Sequence, residues 1–560
     1  MKLLPMGIEN FKTMIDKSAY YVDKTNFIED VLNEQVVSYT RPRRFGKTLN
    51  MSMLYYFFSI KEKENAYLFD GLNISKNKDA LKHQNKYPTI FISLKEMKNL
   101  TFDAQISSFS NVIYELLEKN LEILSSDQLS DTTKDILYKL HNRSSSIEDL
   151  KISLRVITNA LYTYYQQKVI VLIDEYDVPL QAAYQNNYYE EMVEFLRSVF
   201  SSALKTNDAL EKGVMTGCLR ISKESIFTGL NNFTAYSVLN NISSESFGFT
   251  ELEVKQLLKA YNLSEKMDEV KEWYDGYRFG KADVYCPWDV LNYCRDLLKD
   301  EQAQPKNYWL NTSGNDVIEH FIDSVNGQQT LTKIELERLI SGEIVQKEIN
   351  EFITYKELYN TSENLWSTLF MTGYLTQRGK ADGNRYNLVI PNREVRNIIT
   401  EHILVKFRQD IKKDGQMVQR FCQALANGQA QQVEQIFATY MSKTVSVRDT
   451  FVRKAIRENF YHGILLGILS FKDGWTVTSN RESGNGFSDI LIQIDDSDIG
   501  IVIEVKYTEE GKSMESDCKA ALKQIDEKNY TETLYQAGVK RILKYGIACQ
   551  IKDCKVMLEE

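Results

Sequence analysis

The residues best suited to chemistry lie near the C-terminal end: Asp489 in Gly486-Phe487-Ser488-Asp489-Ile490, and Glu504 and Lys506 in Ile503-Glu504-Val505-Lys506. The run Gly500-Ile501-Val502-Ile503-Glu504-Val505-Lys506 alternates as a strand does, so Glu504 and Lys506 project from one face. Asp489 and Glu504 are symmetric about a point between residues 496 and 497, inside the acidic turn Asp495-Asp496-Ser497-Asp498. A tight hairpin there sets Asp489 opposite Glu504. Facing carboxylates repel unless a cation lies between them, and Mg²⁺ suits one or two carboxylates completed by phosphate oxygens. Lys506 then positions an attacking water or steadies the phosphate charge. A solvated surface hairpin would use the same residues without chemistry, because Glu-x-Lys alone is common.

A second phosphate-handling pattern stands near the N-terminus. Thr40-Arg41-Pro42-Arg43-Arg44-Phe45-Gly46-Lys47-Thr48 lies between the strand-like Val36-Val37-Ser38-Tyr39 and a helix-like segment from Leu49 to Phe58. Gly46-Lys47-Thr48 forms the last part of a loop in which backbone N–H groups and a helix N-terminus cradle phosphates, with Lys47 reaching the terminal phosphates and Thr48 the Mg²⁺. The first glycine of that loop is replaced by Arg41, and Pro42 has no N–H to offer; Arg43 and Arg44 supply charge instead. Lys168-Val169-Ile170-Val171-Leu172-Ile173-Asp174-Glu175 reads as a buried parallel strand ending in two acids. Asp174 is placed to hold Mg²⁺ through water and Glu175 to orient a hydrolytic water. The bland alternative is a buried strand followed by the turn Tyr176-Asp177-Val178-Pro179.

The C-terminal residues resemble the PD-(D/E)XK nuclease superfamily, whose core is a helix, a hairpin carrying Asp and Glu-x-Lys, and a further helix. That resemblance implies catalytic roles for Asp489, Glu504 and Lys506, with Asp489 and Glu504 as metal ligands. It extends to Glu458 in the apparent helix from Phe451 to Leu469, to Glu482, and to Gln524 in Ala521-Leu522-Lys523-Gln524-Ile525. The N-terminal half resembles the AAA-ATPase-like family that is often fused to such a nuclease in bacterial proteins. The resemblance rests on Met6-Gly7-Ile8-Glu9-Asn10-Phe11, Tyr21-Val22-Asp23-Lys24-Thr25, the Arg-Pro-Arg-Arg-Phe-Gly-Lys-Thr loop, Asp174-Glu175-Tyr176-Asp177, Ser225 to Asn232, Trp273-Tyr274-Asp275-Gly276-Tyr277 and Pro287-Trp288. It implies ATP and Mg²⁺ as ligands and supports nucleotide binding more directly than hydrolysis. By the same resemblance Thr216 senses the terminal phosphate and Arg220 stabilises or reports its charge; as plain sequence, they suit equally a strand-end hydroxyl and a surface charge.

A chain of 560 residues exceeds one core and fits three or four units. The expected fold is α/β: a P-loop NTPase parallel-sheet domain over 1–245, a helical and winged-helix-like middle region over 246–420, and an α/β restriction-endonuclease-like domain over 421–560. In the middle region, Thr250 reads as a helix cap with Glu253 three residues on. Leu365 to Thr372 reads as a helix, with strands over Gly373-Tyr374-Leu375-Thr376 and Tyr386 to Ile390 forming a wing. The tryptophans Trp273, Trp288, Trp309 and Trp366 read as core or interdomain anchors.

No segment approaches the length of apolar sequence needed to span a bilayer, and the start lacks a signal-peptide core, so the chain is expected in the cytoplasm. Seven cysteines and five histidines show no zinc or disulfide spacing. His462, four residues after Glu458, suits either a metal ligand or a packed helix face. A net charge of −9 argues against a nonspecific nucleic-acid coat, although the basic groups Arg453-Lys454-x-x-Arg457 and Lys540-Arg541-x-x-Lys544 would either track a phosphate backbone or lie on solvated helix faces. The combined expectation is an ATP site controlling a Mg²⁺-dependent nuclease, with DNA or RNA as partner, a homo-oligomer as one state, and defence against foreign nucleic acid as a role by analogy. The rival is an ATP-gated interaction or signalling module whose nuclease-like domain is inactive or waits on assembly.

Overall fold

Strands that are apolar on both faces need cover on both sides, and the N-terminal region supplies it. In the computed structural model, β1 (Val36–Thr40), β2 (Thr89–Ser93), β3 (Val169–Asp174), β4 (Leu210–Gly217) and β5 (Phe233–Tyr236) form one sheet in the order β2-β3-β4-β1-β5. All its neighbouring strands run parallel. Every residue of β1 and β3 is buried. In the register Thr40 pairs with Gly217 and Ile173 with Met215, so the loop leaving β1, the acids ending β3 and Thr216 of β4 meet at one edge. Sheets of this kind place their ligands outside the carboxyl ends of the strands.

The structure describes residues 2–219, 233–309, 318, 335–336, 338–340, 342–358, 360–402, 415–444, 454–469, 472, 474–483, 486–495, 497–509, 511–550 and 553–559. For residues 415–416, 442–444, 454–457, 459–460, 463, 467, 479–483 and 486–489 the description covers backbone only. Two compact units result: Met1–Val317 with Gln346–Val395, and Ile318–Val345 with Arg396–Glu560.

The first unit joins the parallel sheet to the middle elements. The helix Glu251–Ala260 starts at the expected box, with Thr250 N–H donating to Glu253 Oε2 at 2.7 Å and Glu253 N–H to Thr250 Oγ1 at 3.4 Å. A short hairpin follows, of β6 (Tyr277–Phe279) and β7 (Ala282–Val284), and then the helix Pro287–Lys299. Further on, β8 (Val345–Glu348), β9 (Thr376–Asp382) and β10 (Arg385–Val389) form a small sheet in the order β8-β10-β9 beside the helix Ser362–Thr372. The strand expected from Gly373 begins only at Thr376. Gly373 instead closes the helix at φ 94°, a conformation that favours glycine.

The second unit carries a mixed sheet of β11 (Trp475–Ser483), β12 (Gly486–Ile494), β13 (Ile499–Tyr507), β14 (Arg541–Gln550) and β15 (Asp553–Glu559), in that order. β13 and β14 are parallel and are connected through the helix Met514–Glu527, while the other pairs are antiparallel. Alternation splits β13 between two cores. Ile501, Ile503 and Val505 pack with the helices Gly415–Ala426, Ala430–Thr444 and Lys454–Leu469, whereas Val502 packs with Leu522 and Ile525 on the opposite face. Among the described residues, no helix is long and apolar enough to cross a membrane.

Candidate functional sites

The loop after β1 is held by its side chains where glycines would otherwise set its path. Arg41, at the position of the missing glycine, turns fully into the protein: its guanidinium donates to the carbonyls of Thr40 and Tyr236 at 2.9 and 3.0 Å and lies over the rings of Phe247 and Phe279. Pro42 packs against Gly373 so closely that a Cβ at Gly373 would stand 3.0 Å from the proline ring. Arg43 donates to Gln181 Oε1 at 2.7 Å, and Arg44 stacks 3.9 Å from the Trp288 ring. Phe45 is buried against Tyr277 and Phe279. Gly46 then caps the helix Lys47–Phe58 at φ 85°, and a Cβ there would enter open space. The helix N-terminus therefore borders a cavity, and among the described residues nothing stands within 4 Å of where a Gly46 Cβ would be, as suits a phosphate cradle.

Asp174 is the hub of this site. Its Oδ2 accepts a hydrogen bond from Thr48 Oγ1 at 2.8 Å and its Oδ1 one from Thr216 Oγ1 at 2.5 Å. Burial raises its pKa, opposed by those two hydroxyls and by Lys47. The Lys47 ammonium donates to the carbonyls of Arg41 and Pro42 at 3.1 and 3.0 Å and lies 3.5 Å from Cys218 Sγ. Burial works against its charge, but Cys218, Glu175, Asp177 and Asp174 outweigh that and raise its pKa. Glu175 stands at φ 53°, with its pKa raised first by burial and lowered by Lys47. Asp177 fixes the end of β4, accepting from Cys218 N–H at 2.9 Å and Leu219 N–H at 3.1 Å. Lys47, Thr48, Asp174, Glu175 and Thr216 are thus gathered at one strand edge. A hydroxyl and a carboxylate oxygen side by side form a donor set of the kind Mg²⁺ takes. Arg220 and the Ser225–Asn232 segment lie outside the described residues.

A cavity of about 480 Å³ spreads from this edge. Gly46, Lys47, Thr48, Glu175, Arg43 and Arg44 line it together with the apolar Met6, Tyr20, Phe249 and Leu291. Its size and its mixture of charged and apolar lining suit a nucleotide. Sequence reasoning missed several of its lining residues. Trp288, read as an anchor, borders the cavity and carries Arg44 over its ring, and Glu9 and Lys95, paired at 2.8 Å, line it too. The resemblance quoted Glu9 and Trp288 without a role, and no local signal marks Lys95.

The C-terminal site is built on β12 and β13. Their register pairs Ile490 with Ile503, Leu491 with Val502 and Gln493 with Gly500. One further step brings position 489 opposite position 504; the side chains of Asp489 and Glu482 lie outside the described set. Glu504 is 2% exposed, and Lys506 Nζ meets its Oε1 at 2.9 Å. Glu458, on the helix Lys454–Leu469, accepts from the Tyr507 N–H at 3.3 Å, which puts it one residue from Lys506 along β13. His462 is buried on that helix. Gln524, on the helix Met514–Glu527, donates from its Nε2 to Tyr530 Oη at 3.2 Å. Cys518 and Leu522 of that helix are level with Glu504, since a Cβ on the register partner Gly546 would stand 2.4 Å from the Cys518 carbonyl and 3.1 Å from Leu522 Cγ. The basic group at 540–544 lies at the start of β14 and not on a helix face, with Lys540 paired to Asp498 and Lys544 to Asp526 and Glu559. Among the described residues, no cluster of three or more His, Cys, Asp or Glu side chains stands ready for a metal.

These arrangements agree with family comparisons. Residues 5–227 match the model described as a predicted AAA-ATPase, and residues 456–559 match that of the PD-(D/E)XK nuclease superfamily. A protein of Azotobacter chroococcum mcd 1, described as an uncharacterized protein in the vnfD 5' region, is 29% identical over 415 residues, covering 72% of this chain and 70% of its own. The chain therefore carries a region similar to the AAA-ATPase-like family over residues 5–227 and a region similar to the PD-(D/E)XK nuclease superfamily over residues 456–559.

Proposed function

We propose that this protein binds ATP with Mg²⁺ at the edge of the parallel sheet and uses the nucleotide state to control a Mg²⁺-dependent phosphodiesterase acting on nucleic acid. The observation that carries the first half is the double hydrogen bond of Thr48 and Thr216 to the two oxygens of Asp174, beneath a glycine-capped helix N-terminus open to a cavity. Lys47 exchanges the carbonyls of Arg41 and Pro42 for phosphate oxygens, Thr48 and Asp174 hold the metal, and Glu175 orients the water for hydrolysis. The metal neutralises charge that develops on the phosphates. Thr216 keeps Asp174 in place and links it to β4, and Arg220 follows on the same segment.

In the second unit, Asp489 and Glu504 hold Mg²⁺, Lys506 steadies the attacked phosphate, and Glu458 supports the end of β13. Gln524, which donates to Tyr530 Oη, is the further polar residue that the resemblance assigns to this site. The protein acts in the bacterial cytoplasm, and pairing a nucleotide site with a nuclease region suits defence against foreign nucleic acid. Calorimetric titration with Mg²⁺ and a nonhydrolysable ATP analogue tests the nucleotide site: wild type binds one equivalent and Lys47→Ala does not. Equal binding by both would remove the site as placed here.

A further inference from the structure

One ion pair in the cavity has no part in the site described so far. Lys95 follows β2, whose last residue, Ser93, is the register partner of Asp174, and Leu94 N–H donates to the Asp174 carbonyl at 3.0 Å. The backbone of Asp174 thus anchors the chain one residue before Lys95. Lys95 lines the same cavity as Lys47, Thr48 and Glu175, far in sequence from the loop that supplies the other cations. Its ammonium lies 2.8 Å from Glu9 Oε2, with the two side chains 40% and 57% exposed. An exposed pair of this kind is held weakly and can exchange partners. The hydrogen bond that Lys95 donates to Glu9 is the first cause raising its pKa, with Glu96 and Glu175 among the neighbouring charges, so the lysine stays cationic while facing the acids of the site. Glu9 belongs to the segment 5–9, which borders the cavity and runs into the helix Phe11–Asp16, capped by Asn10.

We infer that Lys95 is a second phosphate-binding cation, which leaves Glu9 for the terminal phosphate of a bound nucleoside triphosphate, and that Glu9 is its resting partner. This rests on the nucleotide reading above. The Glu175 side of the cavity is where the last phosphate of a chain cradled at Gly46 to Thr48 arrives, and Lys95 is the cation held near that side through Leu94, whose N–H donates to the Asp174 carbonyl. A diphosphate ends short of it. Exchange with a triphosphate therefore releases Glu9 and the N-terminal segment, whereas a diphosphate leaves the pair closed. Lys98 also borders the cavity but is exposed and stands beyond the turn closed by Met97 N–H on the Leu94 carbonyl, which makes it the natural control.

The test is the ratio of dissociation constants for a nonhydrolysable ATP analogue and for ADP, each with Mg²⁺, measured on the full chain. Lys95→Met weakens the triphosphate by about tenfold, the scale of one charge-assisted hydrogen bond, and changes ADP by less than about twofold. Lys95→Arg restores the preference, Glu9→Gln tightens the triphosphate alone, and Lys98→Met leaves the ratio near wild type. Equal loss for both nucleotides in Lys95→Met, no loss for either, or a larger change in Lys98→Met overturns the inference while leaving the site intact. Absence of binding by wild type, or unchanged binding by Lys47→Ala, overturns the nucleotide reading and this inference with it.

Discussion

The two proposed phosphate-handling sites solve the same problem, holding buried carboxylates in place, by opposite means. Around Asp174 the partners come from distant parts of the chain: Thr48 is 126 residues away and Thr216 is 42. Around Glu504 they are local, with Lys506 two residues along the same strand and position 489 across one hairpin. A site assembled from several strand ends can change when any one of them moves, which suits a sensor of ligand state. A site laid on one hairpin stays rigid while the sheet stays folded, which suits a cutting centre that is regulated from elsewhere.

The largest effects fall where one charge is irreplaceable. Lys47→Ala weakens ATP-analogue binding by about 10²-fold, as expected when a buried charged partner is removed, and titration calorimetry reads this directly. Lys506→Ala lowers nucleic-acid cleavage by about 10²–10³-fold, as for other losses of a positioned group that stabilises developing charge, with folding checked by circular dichroism. If both sites were mere packing, each variant would change stability and nothing else.

Intermediate effects separate the hub from its neighbours. Thr216→Val leaves Asp174 Oδ1 without its hydroxyl, which costs about 1–3 kcal/mol in denaturant unfolding of that unit and weakens nucleotide binding less than Lys47→Ala does. The pH profile of ATP hydrolysis adds a further check. Burial raises the Glu175 pKa above its ordinary 4.5, so a carboxylate that orients water is protonated sooner as pH falls, and the acid limb lies above 4.5. Glu175→Gln removes that limb together with most of the rate.

The smallest expected effect concerns a buried pair with no role in the chemistry. Asp289 and Glu394 are both buried, and burial first, then each other's presence, pushes the Glu394 pKa up. A carboxyl whose folded pKa is raised binds more protons folded than unfolded, so its stabilising contribution is present below the unfolded pKa and fades as pH rises through the folded value. Glu394→Gln should flatten the decline in Tm between pH 6 and pH 9 and raise Tm by about 2–4 °C at the alkaline end. An equally steep decline in the variant would show that the pair does not titrate as described.

The contrast between the sites also marks what could be read from residues alone. Glu504 and Lys506 were legible because a two-residue period fixes a shared face, and the hairpin because its pairs centre on the acidic turn. Lys47, Thr48 and Asp174 were legible because a parallel strand ends where its apolar run ends. Lys95 and Glu9 were not, since their meeting depends on the order β2-β3-β4-β1-β5, which no local pattern specifies. Trp288 was taken for an anchor because its cavity face depends on Arg44 stacking from a loop more than two hundred residues away. Gly373 was read as strand because its apolar neighbours fit either state, and its positive φ shows only in the fold.

The most direct test of the whole account is cleavage of labelled nucleic acid by the purified chain with Mg²⁺, with and without ATP, in wild type, Lys47→Ala and Asp489→Ala. Cleavage that Asp489→Ala abolishes, and that ATP alters in wild type but not in Lys47→Ala, is the predicted result. Cleavage indifferent to Asp489, or an ATP response that survives Lys47→Ala, would contradict it.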